Sequence, residues 1–147
     1  MNSPTCLVTG ATDGIGRATA LALAERGARV ILHGRNPAKL EATVEQLRAA
    51  TGNESLHPVL ADFASLDQVA ALGQRVRSDF PGLNVLINNA GLLTDHWQRS
   101  ADGFEMTFAV NYLAPFLLTQ NLLDTVRANV PGRVVHVAST ALGGGRV

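Results

Sequence analysis

The sequence predicts an α/β fold, a doubly wound parallel sheet with helices on both faces. Three observations carry this. Five short apolar runs are separated by four longer helical patterns, the runs are apolar almost throughout, and a glycine-rich turn follows the first of them directly. Continuous rather than alternating apolarity marks strands covered on both faces, and right-handed crossovers wind such a sheet in both directions. A length of 147 residues fits one domain, expected to span 1–147.

The elements follow in order. Thr5 to Thr9 (TCLVT) reads as strand one. Ile15 to Arg26 is rich in Ala and Leu and stops at Gly27, a residue suited to the position just past a helix end. Arg29 to His33 is strand two. Asn36 and Pro37 supply an N-cap and a first-turn proline, and Leu40, Val44 and Leu47 then lie on one buried stripe. Leu56 to Leu60 is strand three, and Pro58 suits it to a sheet edge. Ser65 caps a helix whose Leu66, Val69, Leu72 and Val76 face inward. Leu83 to Asn88 is strand four. A long helix is expected from Asp102 to about Asn129, kinked by Pro115, and Arg133 to Ala138 is strand five.

Composition removes several classes of function. Twelve basic and twelve acidic residues are dispersed along the chain, so there is no basic stripe for nucleic acid. No apolar run reaches the length of a membrane span, and Met1 to Pro4 lacks the start of a signal peptide; a soluble cytoplasmic protein with no membrane partner is the expectation. Cys6 stands alone and is expected to be an inert buried thiol. His96, beside Asp95 and Trp97, has no second ligand at a workable spacing, so no metal site is assigned. His136 is expected in the core or on a sheet face.

Chemistry concentrates after the strands, where ligands bind in open parallel sheets. Thr9 to Gly16 places three glycines as G-x-x-x-G-x-G between strand one and the first helix. Gly10 permits a tight turn, Gly14 lets a pyrophosphate approach backbone, and Gly16 lets helix pack on strand, with the helix expected to begin near Gly16. The free N–H groups and positive end of that helix suit an anion. Asp13 is awkward beside phosphates, and its side chain is expected to point to solvent.

This loop resembles the cofactor loop of the short-chain dehydrogenase/reductase family. Further matches follow in order: Asp62 after strand three, Asn88-Asn89-Ala90-Gly91 at the end of strand four, Asn111 in the long helix and Ser139 after strand five. The wording from Gly103 to Thr119 is similar to the retinol-dehydrogenase-like members. The resemblance spans residues 5–142 and implies a Rossmann fold cut after its fifth strand. It also implies a nicotinamide site made by Gly10, Thr12, Gly14, Ile15, Gly16, Arg17, Arg35, Asp62, Asn89, Ala90 and Gly91, with Asn111 and Ser139 as catalytic residues.

An NAD-preferring site carries an acid at the end of strand two for the ribose hydroxyls. Here that place reads His33-Gly34-Arg35, and the expected cofactor is NADP rather than NAD. Arg35 is the first candidate for the 2′-phosphate. Arg17 is the second, or else a solvated surface charge. The missing acid also argues against an S-adenosylmethionine methyltransferase. The implied reaction interconverts an alcohol and an aldehyde or ketone, a small-molecule substrate, and the full-length form is expected to be a homo-oligomer. The family's acid pair, Tyr-x-x-x-Lys, is absent: Tyr112 is the only tyrosine and is followed four positions later by Phe116, and Lys39 is the only lysine. The chain is therefore expected to be an N-terminal fragment or truncated gene product, inactive alone. The alternative is a dinucleotide-binding module without catalysis.

Overall fold

The structure is a computed structural model and describes residues 3–139; the Gly143 to Val147 run lies outside the described residues. Five parallel strands, β1 (Thr5–Val8), β2 (Arg29–Gly34), β3 (Leu56–Leu60), β4 (Leu83–Asn88) and β5 (Arg133–His136), lie in the order β3-β2-β1-β4-β5. The order reverses between β1 and β4, which opens a crevice at their carboxyl ends. Pro58 sits on the outer strand β3, where its missing N–H removes no central hydrogen bond.

The strand period of two splits the core. Leu7, Ile31, Val59, Leu83 and Leu86 face α3 (Leu66–Asp79) and α5 (Ala114–Ala128), meeting Val69, Leu72, Val76, Leu118 and Leu122. Cys6, Val8, Val30, Leu32 and Ile87 face the other way, onto Ala20 and Ala24 of α1 (Gly14–Glu25) and Leu40, Val44 and Leu47 of α2 (Pro37–Thr51). Full burial of each such aliphatic side chain is worth about 1.5–3 kcal/mol. Cys6 lies within this layer, and burial pushes its thiol up to about 11, leaving it protonated and inert at neutral pH.

Four details depart from the sequence reading. Helix α1 begins at Gly14, two residues before Gly16, because the Asp13 carboxylate accepts from the Gly14 N–H at 2.8 Å. No long helix starts at Asp102. That carboxylate accepts instead from the Leu66 N–H, 2.8 Å away at the start of α3, and Gly103 turns at φ +85°. Glu105 is the cap, accepting from Thr107 and Phe108 N–H at 2.8 and 2.7 Å. The helix then runs through α4 (Met106–Phe108), a π-helical turn (Ala109–Leu113) and α5. Pro115 has no N–H for the carbonyl of Asn111, and its ring crowds that carbonyl; the turn widens until Ala114 N–H bonds the oxygen of Ala109. Finally, β5 ends at His136, which is exposed.

Candidate functional site

The carboxyl ends of β1 and β4 are tied together by short polar side chains. The Thr9 hydroxyl accepts from the N–H groups of Asn89 and Ala90, both at 2.9 Å, and donates to the Ile87 carbonyl. The Asn89 amide donates to the carbonyls of Thr9 and Gly10 at 2.9 and 3.3 Å. Between them Gly10 turns at φ +64°, and a Cβ there would stand 2.8 Å from Ala90 Cα. A Cβ on Gly16 would collide with the Gly10 carbonyl and the Asn89 amide. Gly16 and Asn89 thus support the loop from beneath.

Two adjoining cavities open above this loop. One, of about 480 Å³, is lined by Gly10, Thr12, Arg35, Asp62, Ala90 and Gly91 of the expected set, together with His33, Lys39 and Phe63. The other, of about 360 Å³, adds Gly14, Ile15 and Asn89. A Cβ on Gly14 would meet no atom within 4 Å, so the space at the start of α1 is open. First-turn N–H groups of a helix have no intrahelical acceptor, and Asp13 takes only that of Gly14. A glycine cradle beside a helix N-terminus and a free cation on the rim fit the pyrophosphate and phosphate groups of a dinucleotide.

His33 is the residue the sequence reading passed over. It is 3% exposed and stacked on Phe63 with ring centroids 4.3 Å apart. Its Nε2 lies 3.0 Å from the Ala61 carbonyl, and its Nδ1 accepts from the Gly10 N–H at 3.2 Å. A carbonyl only accepts, so Nε2 carries the proton and Nδ1 the lone pair. Burial pulls its pKa down to about 4, against weaker raising effects of the Ala61 carbonyl and Asp62. His33 therefore holds the Gly10 turn as a neutral imidazole. Its position at the apolar end of β2, just before Gly34-Arg35, was the available signal.

The charged rim is divided. Arg35 is exposed and lines the larger cavity. Arg17, the second candidate, is turned away: its guanidinium donates to Gln46 of α2 at 3.1 Å, and it lines neither cavity. Asp13 is 82% exposed, as expected, yet it is not idle. One oxygen caps α1 and the other is 2.7 Å from Lys39 Nζ, which holds the carboxyl below its usual range. Asp62 lines the cavity, with one carboxylate oxygen accepting from Ala64 N–H at 2.9 Å.

Asn111 lies on the π-helical turn. Its side chain clasps one residue of the loop after β4, accepting from Leu92 N–H at 2.9 Å and donating to the Leu92 carbonyl at 2.8 Å. Ser139 is exposed, three residues past β5, and is the last of the described residues. His96 sits on the exposed loop with its Nε2 3.2 Å from Gln98. Among the described residues no group of three His, Cys, Asp or Glu could hold a metal, and no helix is long and apolar enough to cross a membrane.

The chain matches the family model for short chain dehydrogenases over residues 4–146. It is 41% identical over 138 residues to retinol dehydrogenase 13 of Homo sapiens, covering 93% of this chain and 41% of that protein. It thus spans less than half of that relative's length. A short-chain dehydrogenase from Sphingobium yanoikuyae in complex with NADPH superposes with a TM-score of 0.80 at 30% identity, covering 93% of this chain and 54% of that one. The L-sorbose reductase of Gluconobacter frateurii, complexed with NADPH and L-sorbose, gives 0.83 at 27% identity, covering 97% and 55%.

Proposed function

Because the chain belongs to the short-chain dehydrogenase family, we propose that its paired cavities hold NADP and that the whole protein interconverts an alcohol and a carbonyl compound. The observation that carries the cofactor choice is Gly34-Arg35 on the cavity rim, where an NAD site would hold an acid. The NADPH complexes of the Sphingobium and Gluconobacter proteins support it.

Each residue has a separate task. The start of α1, with Gly10 and Gly14, would take the pyrophosphate, and Arg35 the 2′-phosphate. Asp62 would border the adenine, and Asn89 to Gly91 the opposite end of the dinucleotide. When bound, NADPH supplies the hydride. Ser139 would donate a hydrogen bond to the substrate oxygen and so stabilise charge developing there. Both polar atoms of the Asn111 side chain are engaged by Leu92, and Pro115 offers no N–H to the Asn111 carbonyl. A water in a proton relay would then be held at that carbonyl rather than at the amide.

General acid catalysis is typically worth 10²–10⁴-fold, and these 147 residues contain no Tyr followed by Lys four positions later. The chain alone should therefore bind NADPH without appreciable turnover. Fluorescence titration tests the cofactor choice. Arg35→Ala should weaken NADPH about ten- to a hundredfold, the worth of a charged hydrogen bond, and leave NADH unchanged. Equal loss for both cofactors, or tighter NADH binding by the parent, would count against it. NADPH oxidation with aldehydes and ketones, compared with a version extended by a related C-terminal half carrying Tyr-x-x-x-Lys, tests the activity. Comparable rates in the two, lost together in Ser139→Ala, would refute dependence on that pair.

A further inference from the structure

The rim of the larger cavity carries an acid that a phosphate-binding site should not tolerate. Asp13 lies in the glycine-rich loop itself, and both of its oxygens are committed: Oδ1 caps α1 at Gly14, and Oδ2 meets Lys39 Nζ at 2.7 Å. Lys39 comes from α2, 26 positions along the chain. Its backbone N–H is held by the Asn36 cap at 3.0 Å, which fixes the lysine at the positive end of that helix. Arg35 immediately precedes that cap. The two unassigned charges and the expected phosphate ligand therefore share one cavity wall.

An ammonium has three donors and Asp13 uses one of them. Lys39 can thus face a second anion while keeping the first. We propose that Lys39 is a specificity-determining residue for a phosphate monoester on the 2′ position of an adenosine ribose, with Asp13 as a built-in competitor that restrains that affinity. This rests on the dinucleotide reading given above. Before binding, Lys39 neutralises Asp13 and keeps the loop from repelling anions. On binding, its charge is shared between the carboxylate and the 2′-phosphate, beside the Arg35 guanidinium. A ligand with a bare 2′-hydroxyl gains little from this arrangement.

Two substitutions separate the roles. Lys39→Met keeps the aliphatic stem and removes the cation. Asp13→Asn removes the competing charge yet keeps an oxygen that can cap α1, because Asn is as good an N-cap as Asp. The probes are adenosine 2′,5′-bisphosphate and 5′-AMP, measured by calorimetry on the intact chain, with circular dichroism to verify folding. Lys39→Met should weaken the bisphosphate about tenfold, the scale of one charge-assisted bond, and leave AMP within twofold. Asp13→Asn should tighten the bisphosphate several-fold, and Lys39→Arg should retain the preference for it. The preference should also shrink as salt is raised, since both side chains are exposed. If the parent prefers the bisphosphate and Lys39→Met prefers it equally, this inference is overturned while the cofactor reading stands. If the parent binds neither NADPH nor the bisphosphate, the cofactor reading itself has failed. Should Lys39→Met not fold, unchanged or weaker bisphosphate binding in Asp13→Asn would by itself overturn the proposal.

Discussion

Acid should dismantle the site before it unfolds the rest of the protein, through His33. The side chain is 3% exposed and neutral, with pKa lowered to about 4 from its ordinary 6.5. Its folded pKa lies below its unfolded value, so between those values the unfolded chain binds the extra proton and the folded chain does not. Stability then rises with pH across that window. The His33 contribution is fully present above about 6.5 and is lost as pH falls toward 4. At about 1.4 kcal/mol per pH unit the loss is about 3 kcal/mol, against the 5–15 kcal/mol that typically holds a domain together. The imidazolium would also turn an Nδ1–H against the Gly10 N–H, two donors face to face where a hydrogen bond had been. The assay is urea unfolding followed by circular dichroism from pH 7 to 4, for the parent and for His33→Asn. The carboxylates Asp13 and Glu105 and the half-buried His57 also have lowered pKa values and are common to both chains. The parent's slope should exceed the variant's by close to one proton. Equal slopes, or an NMR titration placing His33 at 6 or above, would refute the reasoning.

Three further outcomes follow from packing. Gly16→Ala should lower stability by about 1–3 kcal/mol and remove NADPH binding, because its methyl collides with the Gly10 carbonyl and the Asn89 amide; unaltered melting and binding would show that the loop can yield. Asn111→Ala should leave the Leu92 backbone unclasped and speed proteolysis of the loop after β4 with little change in melting temperature; an unchanged digestion pattern would contradict this. Among the described residues β5 has a neighbour on one side only, and Val135 and Val137 are each 42% exposed. The chain should therefore self-associate at tens of micromolar, and a sharp monomer peak in sedimentation would overturn that expectation.

Local signals carried most of the architecture. Apolar runs, caps at Asn36 and Ser65 and the spacing of glycines each depend on neighbours within a few residues, and the structure places them accordingly. What could not be read depends on distant partners. Asp102 and Glu105 are both capable of capping, and the choice fell to Glu105 because Asp102 is drawn to Leu66 in another helix. Arg17 and Arg35 are equal as charges, and only the proximity of Gln46 on α2 removes Arg17 from the rim. The Asp13–Lys39 pair joins two βα units, so its existence depends on how the helices lie rather than on spacing. Pro115 announced a distortion, but not that the distortion would be a widened turn.

That widened turn sets an accounting constraint on chain length. A π-helical turn holds one residue more than the α-helical turn it replaces, and one residue advances a helix by about 100°. Ala109 and Ala114, five positions apart, are both buried, and Leu118, Leu122 and Val126 continue inward at four-residue intervals. Closing the turn to α-helical geometry with the residue count unchanged would rotate that whole row by about 100° toward solvent. With its present length the segment therefore keeps the row inward only through the widened turn, whereas loss of one residue between Phe108 and Ala114 would let an ordinary α-helical turn do the same. The irregularity that presents Asn111 to the loop is locked in by the phase of a hydrophobic row extending four turns beyond it.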